Sequence, residues 1–526
     1  MNGELELNKQ YTIDLSPQEY ATKALLYQAL ARKTGLHVAE LSHVEVLRRS
    51  LDSRRGRICY HTTVEVYCGE EYVAPNYSGS YQDCHNKPAV IIVGAGPAGL
   101  FAALRALELG MKPIIIERGK PVDKRRPDIA LLAKTQTVDP NSNWCFGEGG
   151  AGTYSDGKLY TRSNKRGNIH EVLHRFIEHG ADPSIVIDAH AHIGTDKLSG
   201  IIANMRHTIE GHGGEYHFST RMADLIVEQD EVCGIKDTEG NDYRGIAVIL
   251  ATGHSARDIY ELFAQRNWTL EAKPFAMGVR VEHPQELINQ IQYHSQKPQM
   301  QFLPPAAYSL TTQVDGHGVF SFCMCPGGCI VPAATGEMQQ VVNGMSNSHR
   351  NSPFANSGIA VTVSPSDVPE YAQYGPLALL RFQQDVERRM FEAVGGSITA
   401  PLQRLTDFCQ NHTSQDNNRT NYLGQTANLP QHELLPRFIV KGLQQGFRDF
   451  DRKMHGFYTE QASILSVESR TSSPVRIPRN ESFQHPQLRN LYPCGEGAGY
   501  AGGIVSSAMD GINAINQISK TILHYS

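Results

Sequence analysis

The chain has 526 residues, with 49 Lys and Arg against 54 Asp and Glu, a formal net charge of -5, and 40% hydrophobic residues. This ordinary composition is long enough for two to four domains; the acidic balance and a pI near 6.5 argue against a nucleic-acid binder of the basic type. The 10 scattered cysteines, with no paired Cys-x-x-Cys, argue against a disulfide framework and a structural metal. MNGELELNKQ is polar and acidic, with no basic segment leading into an apolar stretch, so we expect a cytoplasmic protein with free thiols.

Residues 1–80 read as a small α+β domain. Ser16 as N-cap, Pro17 at the first helical position and Glu19 closing a capping box predict a helix to about Thr34, stopped by Gly35. Val44–Ser50 and Ile58–Cys68 read as strands, the second alternating in ICYHTTVEVYC. A ferredoxin-like sandwich is the simplest assembly. The intervening LRRSLDSRRGR is either a solvated hairpin turn or a contact for an anionic partner such as RNA; its shortness and Asp52 favour the turn. The polar PNYSGSYQDCHNK follows as a linker.

Residues 88–119, PAVIIVGAGPAGLFAALRALELGMKPIIIERG, carry a strand, a glycine turn, a helix and a second strand ending in an acid. Strand Ala89–Val93 runs into Gly94-Ala95-Gly96-Pro97-Ala98-Gly99. Gly94 permits the tight turn, Gly96 lets a pyrophosphate approach the backbone, and Gly99 lets helix and strand pack closely. The helix from about Pro97 to Leu109 aims unpaired N–H groups and its positive dipole end at the phosphates. Glu117, followed by Arg118 and Gly119, closes strand Ile114–Ile116, where its carboxylate can accept both ribose hydroxyls and disfavours a 2′-phosphate. The nucleotide is therefore FAD or NAD. Although Ala89–Leu104 lacks charge, its glycines, proline and Arg105 interrupt it short of a membrane span.

Beyond a helix-like Ile129–Thr135 comes SNWCFGEGGAGTYSDGKLYTR, residues 142–162, with four glycines in six positions from Gly147 to Gly152. Gly149, Gly150 and Ala151 expose a backbone suited to a flat ring or phosphate, and Trp144, Phe146, Tyr154 and Tyr160 flank it as buried-type aromatics. This stretch, with HIGTDKL at 192–198, ATGHSARD at 251–258, FCMCPGG at 322–328 and PCGEGAGYAGGIVSSAMDG at 493–511, resembles a family of bacterial FAD-dependent dehydrogenases related in fold to the glutathione-reductase-type flavoproteins. The resemblance implies an FAD-binding fold more firmly than any substrate. It also places Met222 beside the adenine and Gly253 close to the cofactor.

Residues 169–180 and 197–211 read as helices, and Gly211–Gly214 as a C-cap. Glu215–Phe218, Ala223–Glu228, Glu231–Asp237 and Tyr243–Gly245 read as a β-meander, and Ala247–Leu250 as a buried strand. Near the C-terminus, strand Asn490–Pro493 leads through Gly495-Glu496 and GAGYAGGI, with Gly503 and Ile504, into a helix from Val505 to about Ile518. This resembles the second FAD motif, in which the acid holds a ribityl hydroxyl and the helix N-terminus stabilises a reduced flavin. NAD has no ribityl chain, so FAD is the better cofactor.

The expected organisation is a Rossmann-like FAD-binding domain in two parts, 88–272 and 486–526, with a substrate or cap domain, 273–485, inserted between them. In the insert, Met277–Glu282 reads as a strand, and Arg280 and His283 are either polar groups at the flavin face or buried structural residues. Cys323 and Cys325 lie near Cys329 around a Pro-Gly-Gly turn; Cys-x-Cys on a strand points both thiols to one face, either poised near the flavin or structural. Loops 343–360 and 411–430 are polar, and Pro376–Val394 reads as an amphipathic helix. No second glycine fingerprint serves a dedicated nicotinamide domain, so NAD(P)H would visit only transiently as electron donor. The reading is an oxidoreductase that passes a hydride between a small organic substrate and flavin N5, with a scaffold or sensing protein that holds FAD without turnover as the alternative.

Overall fold

The computed structural model describes residues 8–54, 58–69, 71–161, 167–294 and 301–525. The chain opens with strand β1 (Asn8–Leu15), helices α1 (Pro17–Tyr20) and α2 (Lys23–Thr34), and strands β2 (His43–Asp52) and β3 (Cys59–Tyr67). The strands form an antiparallel sheet in the order β1-β3-β2. Ser16 and Glu19 make the reciprocal capping box, but Thr22 caps a second start, so the single predicted helix is two. Leu15, Leu26, Leu30, Val64 and Val66 form its core. The arrangement is βαββ, short of the expected ferredoxin-like sandwich: the described segment beyond β3 is polar and carries neither a second helix nor a fourth strand before residue 88. The tip of the basic turn, 55–57, lies outside the described residues. Arg54 pairs with Asp52, while Arg49 forms a bidentate pair with Asp188, Nε and Nη2 at 2.6 and 2.7 Å, tying the unit to the next layer.

That layer is a five-stranded parallel sheet. β4 (Ala89–Val93), β5 (Lys112–Ile116), β6 (Glu215–His217) and β10 (Ala247–Leu250) join Leu491–Pro493 in the order Leu491–Pro493, β10, β4, β5, β6. Both faces are covered, so β4 reads as a continuous apolar run, buried from Val90 to Val93. Helix α3 (Pro97–Glu108) crosses from β4 to β5 and packs on the C-terminal helix Ile504–Tyr525. The two backbones nearly touch: a Cβ on Gly511 would lie 2.1 Å from the Ala98 carbonyl oxygen. Helix α4 (Val122–Thr135) begins seven residues before the predicted Ile129, with Pro127 inside it. The predicted meander loses a member: Glu215–His217 follows helix Thr195–Gly211 and returns parallel to β5, as a crossover connection requires, becoming β6. The meander proper is β7 (Met222–Glu228), β8 (Glu231–Asp237) and β9 (Asp242–Arg244).

Between β10 and Leu491–Pro493 the chain builds a seven-stranded sheet around Phe275–Pro284, His317–Cys325, Phe354–Val363 and Ser463–Glu468. Helix Arg437–Lys453 lies on one face, with Gly442 and Gly446 set against Val361 and Val319. Among the described residues, no helix is long and apolar enough to cross a membrane.

Candidate functional site

A cavity of about 370 Å³ lies where the carboxyl ends of β4 and β10 meet the seven-stranded sheet. Its lining includes both predicted glycine motifs: Gly94, Gly96, Pro97 and Ala98 from the first; Gly495, Glu496, Gly503 and Ile504 from the second. The three early glycines differ in what surrounds them. Gly94 has φ 108, and a Cβ there would meet the Ala251 carbonyl oxygen at 2.4 Å; one on Gly99 would meet the Gly94 oxygen at 1.9 Å. Gly96 is open, its nearest neighbour being Gly150 Cα at 4.0 Å. Gly253 and Gly503 also have nothing within 4 Å of an added Cβ. The cavity thus exposes main chain, and a side chain at these positions would occupy the space a nucleotide needs. Helix α3 has no side-chain cap at Gly96, leaving its first N–H groups to the cavity. This cradle fits FAD.

Glu117 is buried, and its carboxylate accepts the N–H groups of Ala95 at 2.8 Å, Gly119 at 2.9 Å and Gly147 at 3.0 Å. With three of roughly four lone-pair positions spent on backbone, it knits the first turn to the second glycine loop and retains room for one further hydroxyl rather than the two expected. Arg118 lines the cavity, with Nη2 on both Asp258 oxygens at 2.8 and 2.7 Å and its guanidinium 4.3 Å above the Phe146 ring. Gly150, Ala151, Met222 and Gly253 also line the cavity. Ala95, Gly99, Gly119 and Gly149 do not and act from behind; the Gly149 N–H, for example, donates to the Ala95 oxygen at 2.8 Å.

The second glycine loop is shaped by a residue that no sequence motif marks. Arg125 of α4 is fully buried and faces carbonyl oxygens: Nη1 donates to Glu148 at 2.6 Å and Gly150 at 3.0 Å, Nη2 to Asn143 at 2.8 Å. Burial without an acidic hydrogen-bond partner lowers its pKa. Its place in the run KRRP resembles a solvated basic face, so only the fold discloses its role. Of the flanking aromatics, Trp144 and Phe146 are buried, but Tyr160 is 54% exposed at the cavity edge.

Phe322, Cys323, Asn343 and Arg470 form the opposite wall, with Asp156 and Lys158 at its margin. Arg350 clamps Asp156, its Nε at 3.0 Å, and holds that carboxyl below the usual range against the effect of burial. Arg470 uses Ser255, Thr335, Gln339 and Glu387 as acceptors; burial works against charge on Glu387, but Arg257 and Arg470 outweigh it and bring its pKa to about 2. His254 Nδ1 lies 3.6 Å from Glu496. Of these wall residues only the cysteine is a predicted catalytic residue, although the motifs SDGKL and GHSARD contain Asp156, Lys158 and His254.

The four predicted catalytic residues part company. Cys323 reaches the cavity; Cys325 is wholly buried beneath it. Arg280 is also fully buried and does not line the cavity: it pairs with Glu468 at 2.8 Å and donates to the Cys323 carbonyl oxygen. His283, further along the same strand, is a core histidine, with Nε2 2.8 Å from the Phe457 oxygen and burial lowering its pKa to about 4. Both cysteines lie on strand His317–Cys325 as expected, but the ladder is irregular there: the register shifts between Phe322 and Cys325, and Cys323 has φ 45. Away from the cavity, Asp14, Cys59 and His61 have donor atoms within 4.8 Å of one another, a cross-strand grouping that linear spacing does not reveal.

Comparison with known proteins matches residues 89–125 to an FAD binding domain, 274–471 to the C-terminal domain-like region of an FAD-dependent protein, and 8–67 to a domain of unknown function, DUF8436. An "Uncharacterized protein" of Clostridium beijerinckii is 38% identical over 520 residues, 94% of this chain and 95% of its own. Solved structures similar to this chain include Aquifex aeolicus GidA, at 13% identity and TM-score 0.31 over 84% of this chain and 64% of that one. Another is a geranylgeranyl bacteriochlorophyll reductase-like protein of Thermoplasma acidophilum, at 13% identity and TM-score 0.34 over 84% and 79%. These overlays are too distant to inform the chemistry. Identity along nearly the whole of both chains, with these two FAD-linked segments, shows that the chain belongs with the Clostridium protein to a family of FAD-dependent proteins, and FAD is its cofactor.

Proposed function

We propose that the protein is an FAD-dependent oxidoreductase acting on a small organic molecule. The observation that carries this reading is the composition of one cavity: open glycine backbone on one side and Phe322, Cys323, Asn343 and Arg470 from the seven-stranded unit on the other. Gly96 and the α3 N-terminus would hold the pyrophosphate, Glu117 an adenosine ribose hydroxyl, and Glu496 a ribityl hydroxyl. Gly503 and Ile504 would bring the last helix's N-terminus to the ring, where its N–H groups favour negative charge. FAD bound there would supply two-electron chemistry, the exchange of a hydride with the substrate through flavin N5. The unit spanning 273–485 would cover the ring and exclude water, while Lys158 at the cavity margin offers a cation to an incoming polar group.

Anaerobic titration of the holoprotein with NADH and with NADPH, following flavin absorbance, tests the reductive half. Bleaching by either identifies a nicotinamide that visits without a domain of its own. If dithionite bleaches the flavin but neither nicotinamide nor any small alcohol, amine or acid does, and no turnover accompanies them, the oxidoreductase reading fails and an FAD-holding scaffold takes its place.

A further inference from the structure

We propose that Cys323 is a catalytic residue of this cavity, a thiolate held against the flavin with Cys325 donating a hydrogen bond to it. This deepens the oxidoreductase reading and rests on FAD being seated as described there. Strand His317–Cys325 reaches the cavity through an irregularity between Phe322 and Cys325, which turns Cys323 out of the ladder at φ 45. A residue with a Cβ seldom adopts that region, and such a conformation persists only where its surroundings hold it. Here the fully buried Arg280 grips the Cys323 carbonyl oxygen with Nη1 at 3.1 Å and Nη2 at 3.2 Å, itself fixed by Glu468 and Asn356.

That grip decides where the second thiol points. Cys325 Sγ donates to the same carbonyl oxygen at 3.3 Å, an acceptor it must share with both Arg280 nitrogens. The neighbouring Cys323 sulfur is the second acceptor within its reach. The thiol bond from Cys325, then the charges of Lys158 and Arg280, hold the Cys323 thiol well below its ordinary range against the opposing effects of burial and Asp156. Cys325 is pushed the other way, by its bond to Cys323 and by burial. Lys158 is fixed by donating to the Met324 carbonyl between the two cysteines. Glu468, the remaining acid at this point, is pushed up by burial and drawn down by Arg280, with which it pairs at 2.8 Å. A thiol with only a packing role in the turn needs neither the left-handed position at the cavity wall nor two cations directed at the Cys323 and Met324 carbonyls.

The test is the visible spectrum of the holoprotein against pH, since a thiolate touching oxidised flavin absorbs at wavelengths longer than flavin alone and a thiol does not. The expected result is a long-wavelength band that grows in with a midpoint well below the ordinary thiol value of about 8.5 and is absent in Cys323→Ser. Cys325→Ala and Lys158→Met should each move the midpoint to higher pH; a midpoint higher by about one on the pH scale means about tenfold less thiolate at acid pH. No band in flavin-loaded wild type between about pH 5 and 9, or a band that survives Cys323→Ser, overturns the assignment. A band without any donor that reduces the flavin leaves the thiolate standing and removes the oxidoreductase reading. Reduction by a donor without a band does the reverse.

Discussion

Gly96→Ala and Gly99→Ala, two changes of one methyl three residues apart, should have opposite consequences. At Gly96 the added Cβ has no neighbour closer than 4.0 Å, and φ is -77, a conformation alanine adopts freely. The apoprotein should keep its stability within about 0.5 kcal/mol, or gain up to about 1 kcal/mol by restricting the unfolded chain. The methyl nevertheless stands where the pyrophosphate must approach, so FAD affinity should fall about 100-fold or more, about 2.7 kcal/mol. At Gly99 the Cβ would sit 1.9 Å from the Gly94 oxygen and 3.2 Å from Ile92 Cγ2. Relief requires helix α3 to move off β4 by more than about 1 Å, at a cost of about 1–3 kcal/mol or more. Thermal unfolding of the two apoproteins, with flavin titration of each, separates the effects. Wild-type FAD affinity in Gly96→Ala, or unchanged apoprotein stability in Gly99→Ala, would refute the reasoning.

Other perturbations follow from the same geometry. Arg125→Met leaves the carbonyls of Asn143, Glu148 and Gly150 without their shared donor; a stability loss of about 3 kcal/mol or more should appear in chemical denaturation, with flavin released early. In Glu117→Gln, the amide oxygen can serve Gly119 and Gly147, but its NH₂ then faces the Ala95 N–H across 2.8 Å. A cost of about 1–3 kcal/mol, or roughly 5- to 100-fold in FAD affinity, should be measurable by fluorescence titration. Burial lowers the His283 pKa from 6.5 to about 4. Above 6.5 the neutral ring fits both states; as pH falls through 6.5 the unfolded chain takes the proton first, so stability declines down to about pH 4 by up to about 3 kcal/mol. His283→Leu should flatten denaturation midpoints over that window.

The nucleotide half was legible because its signals are local. Strand, turn, helix and acid lie within residues 88–119, and the close packing at Gly99 is set by Gly94 and Ile92 of the same unit. The Leu491–Ile504 segment was legible for the same reason. Less accessible were side chains whose partners lie far along the chain: Arg350 meets Asp156 across 194 positions, and Arg280 meets Glu468 across 188. Arg280 and His283 looked alike in RVEH, yet one braces the Cys323 turn and the other fills a core against Phe457. Alternation on a strand identifies which residues share a face but not how far along it the cavity extends. Cys323 was named by its motif, while its left-handed backbone and the orientation of Cys325 depend on a strand irregularity that no periodicity encodes.

Acid release and quantification of the nucleotide bound to the purified protein, beside the Gly96→Ala variant, test the central claim most directly. The account predicts one FAD per wild-type chain and a chain that folds but retains little FAD in the variant. FMN or NAD in place of FAD, or equal FAD in both proteins, would contradict it.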